Sequence, residues 1–354
     1  MMSLNSGVKL LSVIGLFLLF SACTSINAYF GGKKETLNRE NVDFYIPTHT
    51  NLEQLKSLLV EQNIIDDLDG FQAVLDYKEF KDERLAAGKF IIAPGTEYNT
   101  LINGFTLNNL GNGNKEVEVE VTFNNCKDIR DIASKVSQQI EMDSTAFMDY
   151  MLSDSILNKY GFNEATVSAL FLPNTYRLFW DTDHEQFIQR MAQEFKKFWT
   201  PERLEKLKQA GLKSQSEAVT LASIVYKEQD KYPEEWKTIA GLYLNRIRKG
   251  WLLQSDPTFR FCWGDELDGV ERLTYEHRDR DCPYNTYLYA GLPPGPIFIP
   301  PAEVVDAVLN AENNDYMYMC AKPKGDGLHN FAKTLAQHNR NAAEFQQWIR
   351  NRKR

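Results

Sequence analysis

One glutamate in this sequence occupies a position where a carboxylic acid could donate a proton. Glu228 ends a segment in which apolar residues recur at intervals of three and four, a spacing typical of a helix with one buried face. It lies four residues after Ile224 and three after Val225, and therefore on the apolar side. Burial disfavours a charged carboxylate and raises its pKa, which suits an acid that must hold and then deliver a proton.

A structural role for Glu228 is the competing interpretation. Glutamate is seldom deeply buried, and at the end of a helix it could face solvent. It could also pair with Arg246 or Arg248 in the next segment. The immediate neighbours of Glu228 favour this simpler reading, so the rest of the chain must discriminate between the two.

The segment that positions Glu228 is predicted to be a helix that starts near residue 214. Ser214 and Glu217 have the spacing of a capping box. A second helix, whose apolar side runs from 236 to 247, ends at Gly250. Beyond it, segments 254–258, 283–287 and 291–297 are rich in proline, glycine and polar residues, so we expect loops there.

The N-terminal half predicts a β-α-α-β pattern that repeats loosely. Strands at 44–46 and 89–92 flank two helices with regularly spaced apolar residues. Valines then alternate with glutamates over 116–121, helices are expected at 129–140 and 146–152, and a strand returns at 170–176. Two copies of a small glycan-binding-like unit are plausible, although this arrangement occurs in many unrelated domains.

Composition narrows the classes of partner and cofactor. The net charge is −8 and the sequence has no basic stripe, which argues against a nucleic-acid partner. The five cysteines are scattered without a C-x-x-C pair, and the histidines lack metal-ligand spacing. We therefore expect no metal, no cofactor and no disulfide framework. Cys262 and Cys282 could pair in an oxidising compartment or remain free, buried thiols.

The N-terminus predicts an export signal. An uncharged run begins at Leu10 and continues to Phe30. Counted to Phe30 it can span a bilayer, whereas counted to Ala22 it has the length of a signal-peptide core. We expect an uncleaved membrane anchor. The small residues before Cys23 leave a lipoprotein signal as the alternative.

Five motifs, in this order, resemble those of the endolytic murein transglycosylases of the YceG-like family. Residues 221–228 match L-A-S-I-V-x-K-E, and 253–258 match L-Q-x-D-P-T. Residues 284–287 match Y-N-T-Y, 291–297 match G-L-P-P-G-P-I, and 329–331 match H-N-F. Each motif alone is weakly specific, whereas five motifs in the order of the family are a specific match. The resemblance covers essentially the whole chain.

One departure from the family pattern is informative. Members often carry glutamate where this chain has Tyr226, so only one of the two candidate acids remains here, Glu228. If the earlier position were catalytic, this protein would be inactive. The helical spacing puts Glu228 beside the apolar stripe, and we place the acid there.

The resemblance implies an α+β protein of four parts. These are a membrane anchor and linker over 1–39, a LysM-like βααβ domain over 40–115, a second α/β unit over 116–180, and a catalytic domain with the glutamate-bearing helix over 181–354. It further implies a single-pass protein of the bacterial inner membrane with the catalytic domain in the periplasm, or a lipoprotein through Cys23.

The reaction implied is non-hydrolytic cleavage of the β-1,4 bond between N-acetylmuramic acid and N-acetylglucosamine in peptidoglycan glycan strands. Glu228 would first protonate the departing oxygen. It would then accept the proton of the C6 hydroxyl, which attacks C1 and closes a 1,6-anhydro ring. The implied partners are the glycan strands, the membrane and peptidoglycan synthases, with the enzyme ending nascent strands.

The resemblance also suggests residues that contact the sugar. Asn285 would hydrogen-bond the N-acetyl group or the reacting hydroxyl, and Tyr284 and Tyr287 would form stacking walls, with Thr286 between them. For each of these an equally good reading is a loop held by its own polar contacts.

Three further residues complete the candidate set. Gln254 is placed in the cleft by analogy alone. Asp256 precedes a proline and suits a turn or cap better than a second catalytic carboxylate. His329 could orient a loop or the catalytic glutamate, or be a buried, hydrogen-bonded histidine.

Two alternatives to the lytic transglycosylase remain open. One is a glycan-binding scaffold of the wall-synthesis machinery with a vestigial cleft. The other is a muramidase that uses water, whose product is heavier by one water than the anhydro product. The mass of the product separates these possibilities.

Overall fold

The computed structural model of the protein describes residues 28–107, 116–267, 269–270 and 274–352. They form two compact units. The first contains the residues up to 121 together with 139–141 and 176–182, and the second contains 122–138, 142–175 and 183 onward. The predicted anchor and Cys23 lie outside the described residues. None of the helices within the described ranges is long and apolar enough to cross a membrane.

The first unit begins with the predicted βααβ arrangement. Strands β1 and β2 pair antiparallel, with Phe44 opposite Phe90. Both rings are buried and pack on Phe105, so the sheet and the helices share one core. The elements are β1 (Val42–Ile46), α1 (Leu52–Glu61), α2 (Leu68–Tyr77) and β2 (Gly88–Ile92), followed by α3 (Tyr98–Gly104).

The second cycle differs from the expected copy. Three helices lie between strands β3 and β4, and the returning strand begins later than predicted. The apolar residues 167–170 form a buried 3₁₀ turn instead, because a short apolar run does not by itself distinguish a strand from a buried turn. The elements are β3 (Glu118–Phe123), α4 (Ile129–Ser137), α5 (Ser144–Met151), α6 (Asp154–Tyr160) and β4 (Asn174–Phe179), with β3 paired to β4.

The second unit is mainly helical and carries one small antiparallel sheet, β5 with β6. Its elements after β4 are α7 (His184–Phe198), α8 (Pro201–Gln209), α9 (Gln215–Glu228), α10 (Trp236–Arg248), α11 (Asp256–Trp263), α12 (Tyr275–Arg278), α13 (Ala302–Leu309), β5 (Tyr318–Ala321), β6 (His329–Ala332) and α14 (Leu335–Arg352).

Helix α9 lies at the centre of the second unit. Every residue from Ala218 to Val225 is buried, so the helix is enclosed on all sides and not along one stripe only. Ser214 caps it by accepting the backbone N–H of Glu217 at 3.2 Å, which is one of the two hydrogen bonds of the predicted capping box. The Glu217 carboxylate accepts from the backbone of Lys213. A helix this enclosed holds its last residue in a fixed place.

The segment 254–258 was expected to be a loop, and that expectation is wrong for its second half. Asp256 is the first residue of α11, and Pro257 follows it in the first turn. Proline fits there because backbone N–H groups of a first helical turn have no partner within the helix. Gln254, just before the helix, has a positive φ of 49°.

Candidate active site

Glu228 ends helix α9, and two hydroxyl groups reach its carboxyl group. Tyr243 Oη, from α10, donates to Oε1 at 2.8 Å. Ser255 Oγ, just before α11, donates to the same oxygen. Among the described residues Oε2 has no hydrogen-bond partner, so one oxygen is held and the other is available.

The arginines considered as partners of this glutamate are engaged elsewhere. Arg246 is buried and donates to the carbonyl groups of Met317, at 2.8 Å, and Leu253. Arg248 donates to the side chain of Asn245. Within the described residues, Glu228 therefore forms no ion pair with either arginine.

Burial governs the protonation of Glu228. The residue is partly exposed, and the protein around its carboxyl group still removes enough water for desolvation to be the largest influence on its pKa. Desolvation raises its pKa above the ordinary value of 4.5, and Asp256 acts in the same direction. Hydrogen bonds from Ser255 and Tyr243, and the influence of His329, lower it only in part. The group thus retains its proton to a higher pH than an exposed glutamate.

Tyr243 is a fixed, neutral donor. Its side chain is fully buried, and burial raises the pKa of its phenol well above 10, with the neighbouring glutamate adding to the effect. A tyrosine buried in a helical core needs a partner for its hydroxyl. Here that partner is the catalytic candidate.

Ser255 occupies the N-cap position of α11, but its hydroxyl does not cap that helix. It is fully buried and points to Glu228. The Ser255 backbone N–H donates to Thr286 Oγ1 at 3.1 Å, and its carbonyl accepts from Thr258 Oγ1 at 2.6 Å. The hydroxyl that touches the acid is therefore held through the backbone on both sides.

Thr286 joins the two loops of the site. Its Oγ1 lies 2.8 Å from Thr258 Oγ1, and its carbonyl accepts the backbone N–H of Gln254 at 3.0 Å. The Gln254 side chain itself is exposed. Thr286 is almost completely buried, so in this structure it joins protein segments to one another.

Asn285 is fully buried and its amide is occupied by backbone groups. Nδ2 donates to the carbonyl oxygens of Arg278 at 2.6 Å and Arg280 at 2.9 Å, and Oδ1 accepts the N–H of Tyr287 at 3.0 Å. Of the two roles proposed from the sequence, these contacts correspond to holding the loop.

The two tyrosines of this loop line the site differently. Tyr287 is partly exposed, and its hydroxyl donates to Asp256 at 2.6 Å. Tyr284 packs its ring against Phe261, with centroids 4.7 Å apart. Asp256 is exposed in the first turn of α11, one residue from Ser255, which puts a second carboxylate near the acid.

His329 belongs to a second polar cluster near the glutamate. Its Nδ1 lies 2.8 Å from Glu235 Oε2, and its backbone N–H donates to Oε1 at 2.8 Å. Gln229, which follows the catalytic candidate, donates to the same Glu235 Oε2 at 3.0 Å and to the carbonyl of Gly327 at 2.9 Å. Glu235 is 6% exposed, and these three contacts engage both oxygens of its carboxyl group.

The proline-rich segment 291–297 supports α9 from outside. The backbone N–H of Ile297 donates to Ser223 Oγ at 3.0 Å, inside the helix bundle. A Cβ on Gly295 would lie 1.7 Å from the carbonyl oxygen of Ala165, so only glycine fits there. This segment, expected to be a loop, is thus held in place through its backbone.

Sequence reasoning did not identify Tyr243, Ser255 or Glu235. Tyr243 was assigned to an apolar face, where its hydroxyl was the available signal. Ser255 lies inside a matched motif, but as its variable position. Glu235 ends the polar stretch 231–235, for which the sequence predicts only a turn. Each residue becomes part of the site through contacts between segments that are distant in sequence.

The structure pairs Cys262 with Cys282, one of the two states left open by the sequence. The bond joins the end of α11 to the segment just before Tyr284. Cys126 and Cys320 are free. No disulfide framework was expected, and this single bond tethers the two loops that carry Ser255 and Thr286.

Similar proteins are found over most of the chain. The model of the YceG-like family matches residues 44–344. A protein of Bacillus subtilis named endolytic murein transglycosylase is 25% identical over 318 residues, 86% of this chain and 84% of that protein. A protein of the same name from Streptococcus pneumoniae D39 is 23% identical over 93% of this chain, which spans 64% of that relative. A solved YceG-like protein of Listeria monocytogenes, 22% identical, has the same fold with a TM-score of 0.53, covering 86% of this chain and 99% of that one.

Proposed function

Since the chain belongs to the YceG-like family, as its five motifs predicted, we propose that it is an endolytic lytic transglycosylase of peptidoglycan. The observation that carries the proposal is the asymmetric carboxyl group of Glu228. Its pKa is raised by burial, Oε1 accepts from Ser255 and Tyr243, and Oε2 has no partner among the described residues. Such a group can keep a proton on Oε2 and deliver it.

In the first step Glu228 acts as the general acid. Oε2 gives its proton to the glycosidic oxygen between N-acetylmuramic acid and N-acetylglucosamine, and the C1–O bond breaks. The carboxylate that forms is stabilised by the two hydroxyl donors already aimed at Oε1. Because both are in place before the reaction, the site does not have to reorganise.

In the second step the same carboxylate acts as the base. It accepts the proton of the C6 hydroxyl of the muramic acid, whose oxygen attacks C1 and closes a 1,6-anhydro ring. The proton that Glu228 released is thereby replaced, and no water is consumed. One carboxyl group suffices, whereas ordinary glycosidases use two.

A hydrolytic muramidase is the second candidate, and one contact favours it. Asp256 lies close enough to raise the pKa of Glu228, and it is exposed. A second carboxylate could activate water, as in inverting glycosidases. Against this, Asp256 already accepts a hydrogen bond from Tyr287 at 2.6 Å. A scaffold without activity would have no use for the enclosed acid.

The βααβ part of the first unit is proposed to bind glycan in the manner of a LysM-like domain. A groove of about 210 Å³ lies between the turn after β1 and the segment before β2. His49, Thr50, Asp82 and Glu83 give it polar walls. Polar side chains above apolar residues suit a neutral sugar chain.

We further propose that the enzyme works outside the inner membrane, held there by its N-terminal segment or by lipidated Cys23, next to peptidoglycan synthases. The uncharged run near the N-terminus supports export. The disulfide supports an oxidising compartment, because such bonds are rare in the cytosol.

The test uses purified glycan strands, the wild-type protein and the Glu228→Gln variant. The wild-type protein should release fragments with 1,6-anhydro ends, and the variant should be slower by a factor of at least about 100, as expected when a general acid is lost. Glu205→Gln, an exposed glutamate of α8, is the matched control and should behave as wild type.

Mass spectrometry of the fragments distinguishes the candidates. Products heavier by one water than the anhydro form would replace the transglycosylase with the muramidase. Full activity of Glu228→Gln would remove this residue from the mechanism. If the wild-type protein bound strands but released no fragments, the glycan-binding scaffold would be the remaining hypothesis.

A further inference from the structure

A groove beside the candidate active site takes no part in the mechanism above. It lies within the second unit and has a volume of about 560 Å³, a size typical of ligand sites. Lys227, which precedes the catalytic glutamate, and Pro257, in the first turn of α11, both line it. Tyr284 of the site packs against a third lining residue, Phe261. The groove therefore adjoins the site from two sides.

The floor of this groove has an apolar part. Phe261, Leu267, Ile297 and Phe298 form it, beside the charged side chains that line the rest of the groove. The ammonium group of Lys227 lies 4.9 Å from the centre of the Phe298 ring. A ligand with alkyl groups would find contacts here that a strongly hydrated sugar would not use.

The acidic residues of the groove are already engaged. Asp265 pairs with Lys127 at 2.6 Å, and Asp128 pairs with Arg130. Asp131 accepts the backbone N–H of Lys127 at 2.7 Å. None of the three carboxylates is directed at the two remaining cations of the groove.

Those two cations are Lys227 and Arg260. Arg260 donates to the carbonyl oxygen of Val270 at 3.2 Å, and Lys227 rests over an aromatic ring. Neither side chain has a carboxylate partner within the ranges that the structure describes. In a protein of net charge −8, two such cations beside apolar side chains form a local site for a negatively charged ligand.

We propose that this groove binds the carboxylate-bearing peptide side chain that peptidoglycan carries on its muramic acid residues. The inference rests on the proposed function, since it places the scissile bond at Glu228. In a strand that carries its peptides, the lactyl carboxyl of each muramic acid is bound in the amide to the peptide, so the free carboxylates belong to these peptide substituents. Lys227 and Arg260 would bind them through charge-assisted hydrogen bonds, and the apolar floor would cover their alkyl side chains.

The groove would thereby make binding selective for the substituent that the strand carries next to the scissile bond. A strand with its peptides should bind more tightly than the same strand without them. The preference should depend on the negative charge of the peptide, because the groove offers cations and few free acceptors.

The experiment measures the dissociation constant of defined strands with the full-length protein in the Glu228→Gln background, where strands stay intact. Three strands are compared. The first carries its peptides. In the second an amidase has removed the peptides, and the lactyl carboxyl groups that this frees are converted to amides. In the third the peptide carboxylates are converted to amides. Removing or amidating the peptides should each weaken binding about tenfold, the size expected for charged hydrogen bonds.

Adding Lys227→Gln and Arg260→Gln should reduce this tenfold preference to about one. Lys213→Gln, an exposed lysine just before the same helix, is the matched control and should keep the preference. If the two substitutions weakened the binding of all three strands equally, the groove would bind sugar. If the substituted protein kept the tenfold preference, the groove would not bind the strand. Either result overturns the proposal. Circular dichroism checks that each variant is folded.

The two proposals fail separately. Charge-dependent binding by a wild-type protein that releases no fragments would overturn the activity and leave the groove assignment standing. If strands with and without peptides bound with equal dissociation constants and released anhydro fragments at the same rate, the groove assignment would be overturned and the activity would stand.

Discussion

At the residue scale, the proposed chemistry depends on a carboxyl group whose two oxygens have different surroundings. Oε1 of Glu228 is held by Tyr243 and Ser255, and Oε2 has no partner among the described residues. Burial raises the pKa, and the two hydroxyl donors limit that rise. The donors therefore set both the position of the acid and the pH at which it releases its proton.

Replacing Ser255 with alanine tests this directly. Loss of the donor should raise the pKa of Glu228 further and destabilise the carboxylate that forms during the reaction. We expect kcat to fall about tenfold or more and the basic limb of the pH–rate profile to move to higher pH. Ser214→Ala, at the other end of α9, should cost stability but leave the profile in place. An unshifted profile in Ser255→Ala would contradict the assignment.

The raised pKa of Glu228 also predicts how stability depends on pH. A carboxyl whose pKa is higher in the folded state contributes stability that is fully present below its ordinary pKa of 4.5 and is lost as the pH rises through the raised value. The Glu228→Gln variant has no carboxyl group at this position and does not lose this stability as the pH rises. The variant should thus have a higher Tm than the wild-type protein at pH 8, with the difference vanishing toward pH 4.

Thermal unfolding of both proteins across this range is the measurement. All other titrating groups are shared, so the difference between the two curves isolates Glu228. If the Tm values of the two proteins changed with pH in parallel, the carboxyl group would titrate like an exposed one.

At the element scale, the site depends on loops that are tied to one another. Thr286 joins the segment before α11 to the loop at 284–287, and Asn285 holds that loop from inside. The disulfide Cys262–Cys282 links the same two regions covalently. These ties place Ser255 beside the end of α9.

Asn285→Ala should therefore act on stability as well as on activity. The substitution leaves two carbonyl groups and one N–H, all in partly buried contacts, without this partner, and we expect a loss of about 3 kcal/mol in the free energy of unfolding. Denaturant titration measures it. Asn310→Ala, an exposed asparagine with one local hydrogen bond, should change stability by less than about 0.5 kcal/mol. If Asn285→Ala keeps full stability and only loses activity, its main role is contact with the sugar.

At the scale of the whole molecule, the chain has separate hydrophobic cores. One core contains Phe44, Phe71 and Phe105 of the first unit, and another contains Leu221, Tyr243 and Val305 of the second. The two clusters have no residue in common. Units with independent cores need not unfold in a single transition.

Scanning calorimetry should accordingly resolve two transitions. Phe71→Ala should lower the midpoint of one and Leu221→Ala that of the other, since each deletes a fully buried side chain at a cost of about 2–5 kcal/mol. Each variant serves as the control for the other. A single transition that both variants shift equally would show that the units unfold together.

The sequence by itself determined the features that depend on neighbours along the chain. Helical spacing put Glu228 on the apolar side of its helix, alternation and turn residues predicted the first βααβ unit, and ordered motifs indicated the family. Each of these signals lies within a short stretch, where backbone geometry fixes which residues share a face.

Only the tertiary structure decided which groups surround the acid. Tyr243 and Ser255 reach Glu228 across 15 and 27 residues of chain, and His329 reaches Glu235 across 94. Such meetings depend on how whole helices cross, and no local pattern encodes that. The pairing of Cys262 with Cys282 and the start of α11 at Asp256 were settled in the same way.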